Sequence, residues 1–252
     1  MDSKTIFNQK AEIYHEARPR YPDELIDFLY DKLNITSEMV IADIGSGTGI
    51  LSEYFLRRGN KVICVEPNDD MINLSKINLS CYKNFEPIKA TAENTKIQSN
   101  TIDIIIVGQA FHWFEQEQFQ KECLRICKKD AFVIFIWNKK NDSILEKERQ
   151  AMRNSINTIQ DNYQNSWDLR LKGVEKFFPG DYSCIEFCND ILNDYETFIK
   201  RSLSDSRAPN KNDKHYNLYL NKLNAFFAKH AKDGVIMVKN TTIAFWGNLN
   251  DC

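Results

Sequence analysis

Asp43-Ile44-Gly45-Ser46-Gly47-Thr48-Gly49 joins a short apolar strand, residues 40–44, to a helix carrying Leu51, Phe55 and Leu56. Three glycines in five positions let the backbone turn sharply and approach a ligand closely. The helix that follows offers its first N–H groups to an anion. A dinucleotide loop has the pattern G-x-G-x-x-G/A. Here the third glycine comes one place early, at 49, and Ile50 stands where the small residue belongs. Asp43 separates the ligand classes further. A carboxylate ending the strand repels a pyrophosphate and attracts a cation. An ammonium-sulfonium ligand suits that field, and its own carboxylate can still meet the loop N–H groups.

Working outward, an alternation of strands and helices extends from residue 22 to 137. Pro22-Asp23-Glu24 opens a helix with Leu25, Ile26, Leu29 and Leu33 at helical spacing. Residues 61–65 predict a second strand, followed by a helix over 69–79. A third strand is expected at 85–90. The unbroken apolar run 102–107 predicts a fourth, buried on both faces. A helix over 115–127, a turn at Lys128-Lys129-Asp130 and a fifth strand at 131–137 complete the pattern. This is an α/β chain with a Rossmann-like, doubly wound parallel sheet. Ligands in such sheets bind beyond the carboxyl ends of the strands, near the reversal of strand order. Residues 45–49, Glu66, 91–93 and 108–113 are thereby expected around one crevice. Glu66 closes the second strand 21 residues after Gly45. A carboxylate there can accept both ribose hydroxyls, which disfavours a 2′-phosphate.

Beyond residue 142 the pattern loosens. Helices are predicted over 143–160, 195–202 and 216–231, a strand over 183–189, and a strand or hairpin over 234–247. Residues 161–182 hold scattered aromatics and Pro179-Gly180. The expected organisation is one domain, 1–252. Its cofactor core is 34–137, with a substrate-side cap from 1–25 and 143–232 and a C-terminal strand at 233–247.

Composition narrows the class. The 252 residues carry 33 Lys+Arg against 35 Asp+Glu, a net charge of −2, and 42% are apolar. That balance is too neutral for a passive nucleic-acid binder. The longest apolar stretches fall short of the ~18 residues a membrane span needs. The first twenty residues lack an apolar signal core. No membrane or nucleic-acid partner is expected, and a cytoplasmic location is. Seven cysteines include two pairs four residues apart, Cys123/Cys127 and Cys184/Cys188. Neither pair forms a CxxC or has a nearby histidine, so buried reduced thiols are expected and no metal.

The run 41–49 resembles the first motif of the class I S-adenosylmethionine-dependent methyltransferases, in wording closest to the small-molecule type 11 group. Glu66 matches that family's second-strand acid. Thr91-Ala92-Glu93 is similar to its adenine-side segment, residues 101–107 to its fourth strand, and Gly108-Gln109-Ala110-Phe111-His112-Trp113-Phe114 to the loop after it. The leader Tyr14-His15-Glu16-Ala17-Arg18-Pro19-Arg20-Tyr21-Pro22 resembles the N-terminal segment of some members. The resemblance implies a seven-stranded sheet whose last strand is antiparallel. It implies S-adenosylmethionine as methyl donor and S-adenosylhomocysteine as product. Gly45, Ser46, Gly47 and Thr48 would line the methionine portion, with Asp43 supporting the loop or the amine. Glu66 would hold the ribose. Pro67 and Met71 would pack on the nucleoside, while Ala92 and Glu93 would meet the adenine edge. Gln109 would lie under the sulfonium, and Tyr14 and Arg18 would close over the methionine carboxylate.

The acceptor is expected to be a small molecule, and the chain a monomer or homodimer. Two readings stand for His112: a proton acceptor or substrate contact, or a packed ring. Phe111 and Trp113 are likewise a substrate wall or core. The basic residues from Arg201 to Lys232 read as a solvated face, with Arg207 as a candidate carboxylate clamp. A nicotinamide dehydrogenase conflicts with Asp43 and Ile50. A cofactor-binding regulator or scaffold that transfers nothing would share every cofactor motif.

Overall fold

The computed structural model describes residues 15, 18–141, 144–156, 166–178, 180–205, 208–209 and 211–249. Its strands are β1 (Val40–Ile44), β2 (Lys61–Val65), β3 (Phe85–Ile88), β4 (Ile102–Gly108), β5 (Cys127–Lys140), β6 (Ser183–Cys188), β7 (Ile191–Asn193), β8 (Ile236–Val238) and β9 (Asn240–Asn248). Among the described residues these form one seven-stranded sheet, ordered β3-β2-β1-β4-β5-β9-β6, and a separate β7–β8 ribbon. The pairings from β3 through β5 are parallel. β9 runs antiparallel between β5 and β6, so the expected antiparallel last strand is present. Strand order reverses between β1 and β4, where the glycine loop leaves the sheet.

Alternation along the central strands builds two apolar layers. Ile105 and Val107 of β4 face one layer with Val133, Phe135 and Trp137 of β5. Ile104 and Ile106 face the other with Ile134 and Ile136. An unbroken apolar run is therefore what two covered faces require. The second layer is covered by α1 (Asp23–Lys32) and α2 (Ser52–Leu56). The first is covered by α4 (Gln116–Ile126) and α6 (Ser166–Phe177). Between α2 and α4, helix α3 (Asp69–Asn78) links β2 to β3 and starts with Asn68 Oδ1 accepting from the Met71 N–H at 3.0 Å.

Two expectations need correction, and one stretch left unassigned holds a helix. The predicted turn at 128–130 is strand, because β5 begins at Cys127 opposite Ile102. The extra residues survive as a register shift between Ile102 and Ile104. Residues 161–182 contain the helix α6, whose Leu171, Val174 and Phe177 pack on the sheet. Cys184 and Cys188 are exposed free thiols, whereas Cys123 and Cys127 are buried as expected.

The cap segment divides accordingly. α6 and β6 lie with the sheet. Helices α5 (Ile144–Asn154), α7 (Tyr195–Leu203) and α8 (Tyr216–His230), with the β7–β8 ribbon, gather a third apolar cluster of their own. Its members include Phe198, Tyr219, Leu223, Phe226 and Ile236. Among the described residues, no helix is long and apolar enough to cross a membrane.

Candidate functional site

Beyond the carboxyl end of β1 the chain turns back on β2. The Gly45 and Ser46 N–H groups donate to Val65 O at 2.8 and 3.1 Å. Gly45, Gly47 and Gly49 have φ of +69°, +57° and +84°, a region that favours glycine. A Cβ on Gly45 would lie 2.6 Å from the Ala110 Cβ, and one on Gly49 2.5 Å from Leu79 Cδ1. A Cβ on Gly47 would meet nothing within 4 Å. Gly47 therefore presents open backbone, whereas the other two are clamped by neighbours.

Two buried carboxyls stand behind this turn. Asp43 is 1% exposed. Its Oδ2 accepts from Ser52 Oγ at 2.5 Å, and its Oδ1 has no hydrogen-bond partner among the described residues. Burial pushes Asp43 up to about 7, opposed by the Ser52 hydrogen bond and assisted by the nearby Glu66 charge. Glu66 accepts from the Gly47 N–H at 3.0 Å through Oε2 and from the Asn68 N–H at 2.9 Å through Oε1. Burial raises it above the usual carboxylate range, and these two N–H groups pull it back. Each Glu66 oxygen keeps a second lone pair for a hydroxyl donor.

The loop is also held from the N-terminal side. His15 Nδ1 lies 2.9 Å from Thr48 Oγ1 and 3.1 Å from Asn78 Nδ2. Histidine at 15 was not singled out in the sequence. Its signal, a short polar leader ahead of a helix, is too common to read. Tyr14 and Arg207 lie outside the described residues.

A cavity of about 960 Å³ runs from this loop into the cap. Asp43, Gly45, Ser46, Gly47 and Thr48 line one end, and Arg18, Gln109, His112 and Trp113 line it further along. Gln109 follows β4 with φ +63°, a strained value for a side-chain-bearing residue. Its N–H is fixed on Ile136 O at 2.9 Å. Pro67, Met71, Ala92 and Glu93 stand across β1, beyond the ends of β2 and β3, and are not part of this cavity's wall. Met71 and Ala92 are buried. The Glu93 carboxylate accepts from the Glu115 N–H at 3.0 Å, at the start of α4.

The aromatic segment after β4 splits between the two readings. Phe111 is fully buried and stacks on Phe135 with ring centroids 4.2 Å apart. It is core, which corrects its assignment to the substrate wall. His112 and Trp113 are exposed toward the cavity. Crowding by the cavity walls, then Arg170 and then Arg18, depress His112 to about 4. His112 is therefore a neutral ring at neutral pH, able to accept a hydrogen bond but a weak base.

The sequence of residues 42–135, from β1 into β5, matches the methyltransferase domain family. Over that stretch the chain is similar to methyltransferase domains, and its seven-stranded sheet has the fold of solved methyltransferases. An uncharacterized methyltransferase-like protein of Schizosaccharomyces pombe is 26% identical over 145 residues, covering 57% of this chain and 55% of that protein. The chain thus spans about half the length of the first curated relatives it matches. A ubiquinone/menaquinone biosynthesis C-methyltransferase of Campylobacter jejuni is 24% identical over 222 residues, 77% of this chain and 91% of that one. A candidate type II methyltransferase structure from Anaeromyxobacter dehalogenans superposes with a TM-score of 0.64 at 16% identity, covering 92% of this chain and 98% of that one. Within the matched stretch, residues 45–48 line the cavity and Glu66 stands beside it through the Gly47 N–H.

Proposed function

We propose that this methyltransferase domain binds S-adenosylmethionine and transfers its methyl group to a small-molecule acceptor. One observation carries the reading. A glycine turn with an open Gly47 is backed by a buried Asp43 whose Oδ1 still lacks a partner among the described residues. A ligand bearing an ammonium and a sulfonium supplies the balancing charge and donor. When bound, S-adenosylmethionine supplies an activated methyl group on a positively charged sulfur. Gly45 to Thr48 would hold the methionine portion and Glu66 the ribose. Pro67 and Met71 would pack on the nucleoside, Ala92 and Glu93 would meet the adenine edge, Gln109 would lie under the sulfonium, and Arg18 would close over the methionine carboxylate. The cavity walls would orient the acceptor. Calorimetry with S-adenosylhomocysteine and with NADH tests the cofactor. Firm NADH binding, with neither the methyl donor nor its product bound, overturns the reading. Transfer of a labelled methyl group into a metabolite extract separates an enzyme from a silent binder.

Asp43 makes cofactor binding pH-dependent. A cation placed beside it favours the ionised form, so binding expels the proton that the free protein carries below about pH 7. Affinity for S-adenosylmethionine should therefore weaken about tenfold from pH 8 to pH 6. Asp43→Asn should flatten that profile. Proton release is measured by repeating the calorimetry in buffers of different ionisation enthalpy.

His112→Ala should lower turnover by less than about tenfold, because a ring depressed to about 4 contributes little as a base. Cofactor affinity should stay unchanged, as checked by steady-state kinetics beside calorimetry. A much larger loss would show that a bound acceptor restores the ring's basicity.

A further inference from the structure

The cavity changes character along its length. Its loop end is backed by Asp43, whereas its cap end gathers Lys140, Arg149 and Arg201, with Arg153 beside them. Arg149 of α5 is 6% exposed. Its Nε has no hydrogen-bond partner among the described residues. Its contact with acid is long, Nη1 to Glu146 Oε2 at 3.8 Å. Glu146 is shared with Arg153 at 3.4 Å and with Lys140 at 3.8 Å, and Asp205 pairs with Arg153 at 3.0 Å. Arg201 donates to Asn193 Oδ1 at 2.5 Å. The Asn193 amide is in turn fixed on Ile191 O and Ile236 O, at 3.1 and 3.2 Å. Asn240 sits opposite Lys140 in the β5–β9 register. It is 1% exposed, and its Nδ2 has no partner among the described residues.

These cations crowd one another. Burial and then Arg149 depress Lys140 to about 7, and burial and Arg149 both lower Arg201. Lys140, Arg149 and Arg153 face Glu146, Asp205 pairs with Arg153, and the Asp194 charge acts on Arg201. A buried guanidinium without a close counter-charge is strongly unfavourable. Arg149 and Asn240 both line this space, and each carries a buried donor, Nε and Nδ2, with no partner among the described residues.

We propose that the cap end of the cavity is the acceptor subsite and that the acceptor carries a carboxylate, bound by Arg149 with Lys140 and Arg201 at its flanks and the Asn240 amide as a further donor. Calling the bound molecule the acceptor rests on the methyl-transfer reading; the anion site itself does not. The guanidinium fork matches a planar carboxylate. A molecule anchored here extends along the cavity toward His112 and Gln109.

The test titrates the full chain, loaded with S-adenosylhomocysteine, with succinate and benzoate, with the neutral succinamide and benzamide, and with inorganic phosphate. At least one carboxylate should bind about tenfold or more tightly than its amide. Arg149→Met should remove that preference while leaving S-adenosylhomocysteine affinity within about twofold. If Arg149→Met does not fold, Lys140→Met and Arg201→Met carry the comparison, and each should reduce the preference. Equal binding of acid and amide, or a preference that survives these variants, overturns the assignment. So does phosphate binding about tenfold tighter than either carboxylate. Should the wild-type chain fail to bind S-adenosylhomocysteine, the cofactor reading falls, and the acid-amide comparison on the unloaded chain still decides the anion site.

Discussion

Phe111→Ala should lower the free energy of unfolding by about 3–5 kcal/mol. Phe111 is fully buried. It stacks on Phe135 and meets Phe177 edge-on at 5.4 Å between centroids. Phe119 and Trp137 each lie 6.2 Å away. Removing the ring forfeits its transfer from water and leaves a void that the sheet cannot close, since α6 already presses Gly173 against it. A Cβ on Gly173 would lie 3.3 Å from Phe111 Cε1. The same ring anchors the segment whose Ala110 and Phe114 stand against Gly45, so S-adenosylhomocysteine affinity should fall together with stability. Urea unfolding measures the first effect and calorimetry the second. Phe111→Leu, which fills most of the volume, should recover more than half of the stability. A loss below about 1 kcal/mol in the alanine variant would return Phe111 to the substrate wall.

Glu66→Ala should weaken cofactor binding about a hundredfold, or about 2.7 kcal/mol. Two costs combine. The ribose hydroxyls would lose a charged acceptor, a contact worth roughly 1.5–3 kcal/mol. The Gly47 and Asn68 N–H groups would also lose the oxygens that hold them at 3.0 and 2.9 Å, so the glycine turn would no longer be set for the ligand. Glu66→Gln keeps one acceptor and should fall between the two. Measuring Kd for S-adenosylhomocysteine beside the thermal midpoint separates the contributions: a ribose role moves Kd far more than the midpoint. Affinity within about threefold of wild type would remove Glu66 from the ribose site.

Much of the sheet was legible because each central strand announces itself locally. β1, β2 and β4 are apolar runs closed by an acid or by glycine, and they lie where periodicity placed them. α6 was legible in principle. Trp167, Leu171, Val174 and Phe177 recur at helical spacing, but charges and Gly173 stand among them, and the sequence reading assigns the stretch no element. β7 is three residues, too short for any period to register, whereas β8 lies inside the alternation read over 234–247 but pairs with β7 and not with β9. β5 outruns its apolar core through Asn138, Lys139 and Lys140 because β9 pairs with it as far as Asn240. No local signal marks that extension, since the polar tail turns toward a cavity that other elements build.

The sequence by itself determined the α/β class, the glycine turn and the two carboxyls behind it. These depend on spacing within a few residues, where backbone geometry alone fixes what can follow. Only the tertiary structure decided that Phe111 is core while its neighbour His112 faces the cavity. The tertiary structure alone also brought Lys140, Arg149 and Arg201 to one end of that cavity. The meaning of a charge depends on the water removed around it and on the charges folded against it. Both are set by chain segments far apart in sequence. Arg201 stands in a stretch whose Lys211, Lys214, Lys229 and Lys232 are indeed exposed, and only folding turned that one arginine inward.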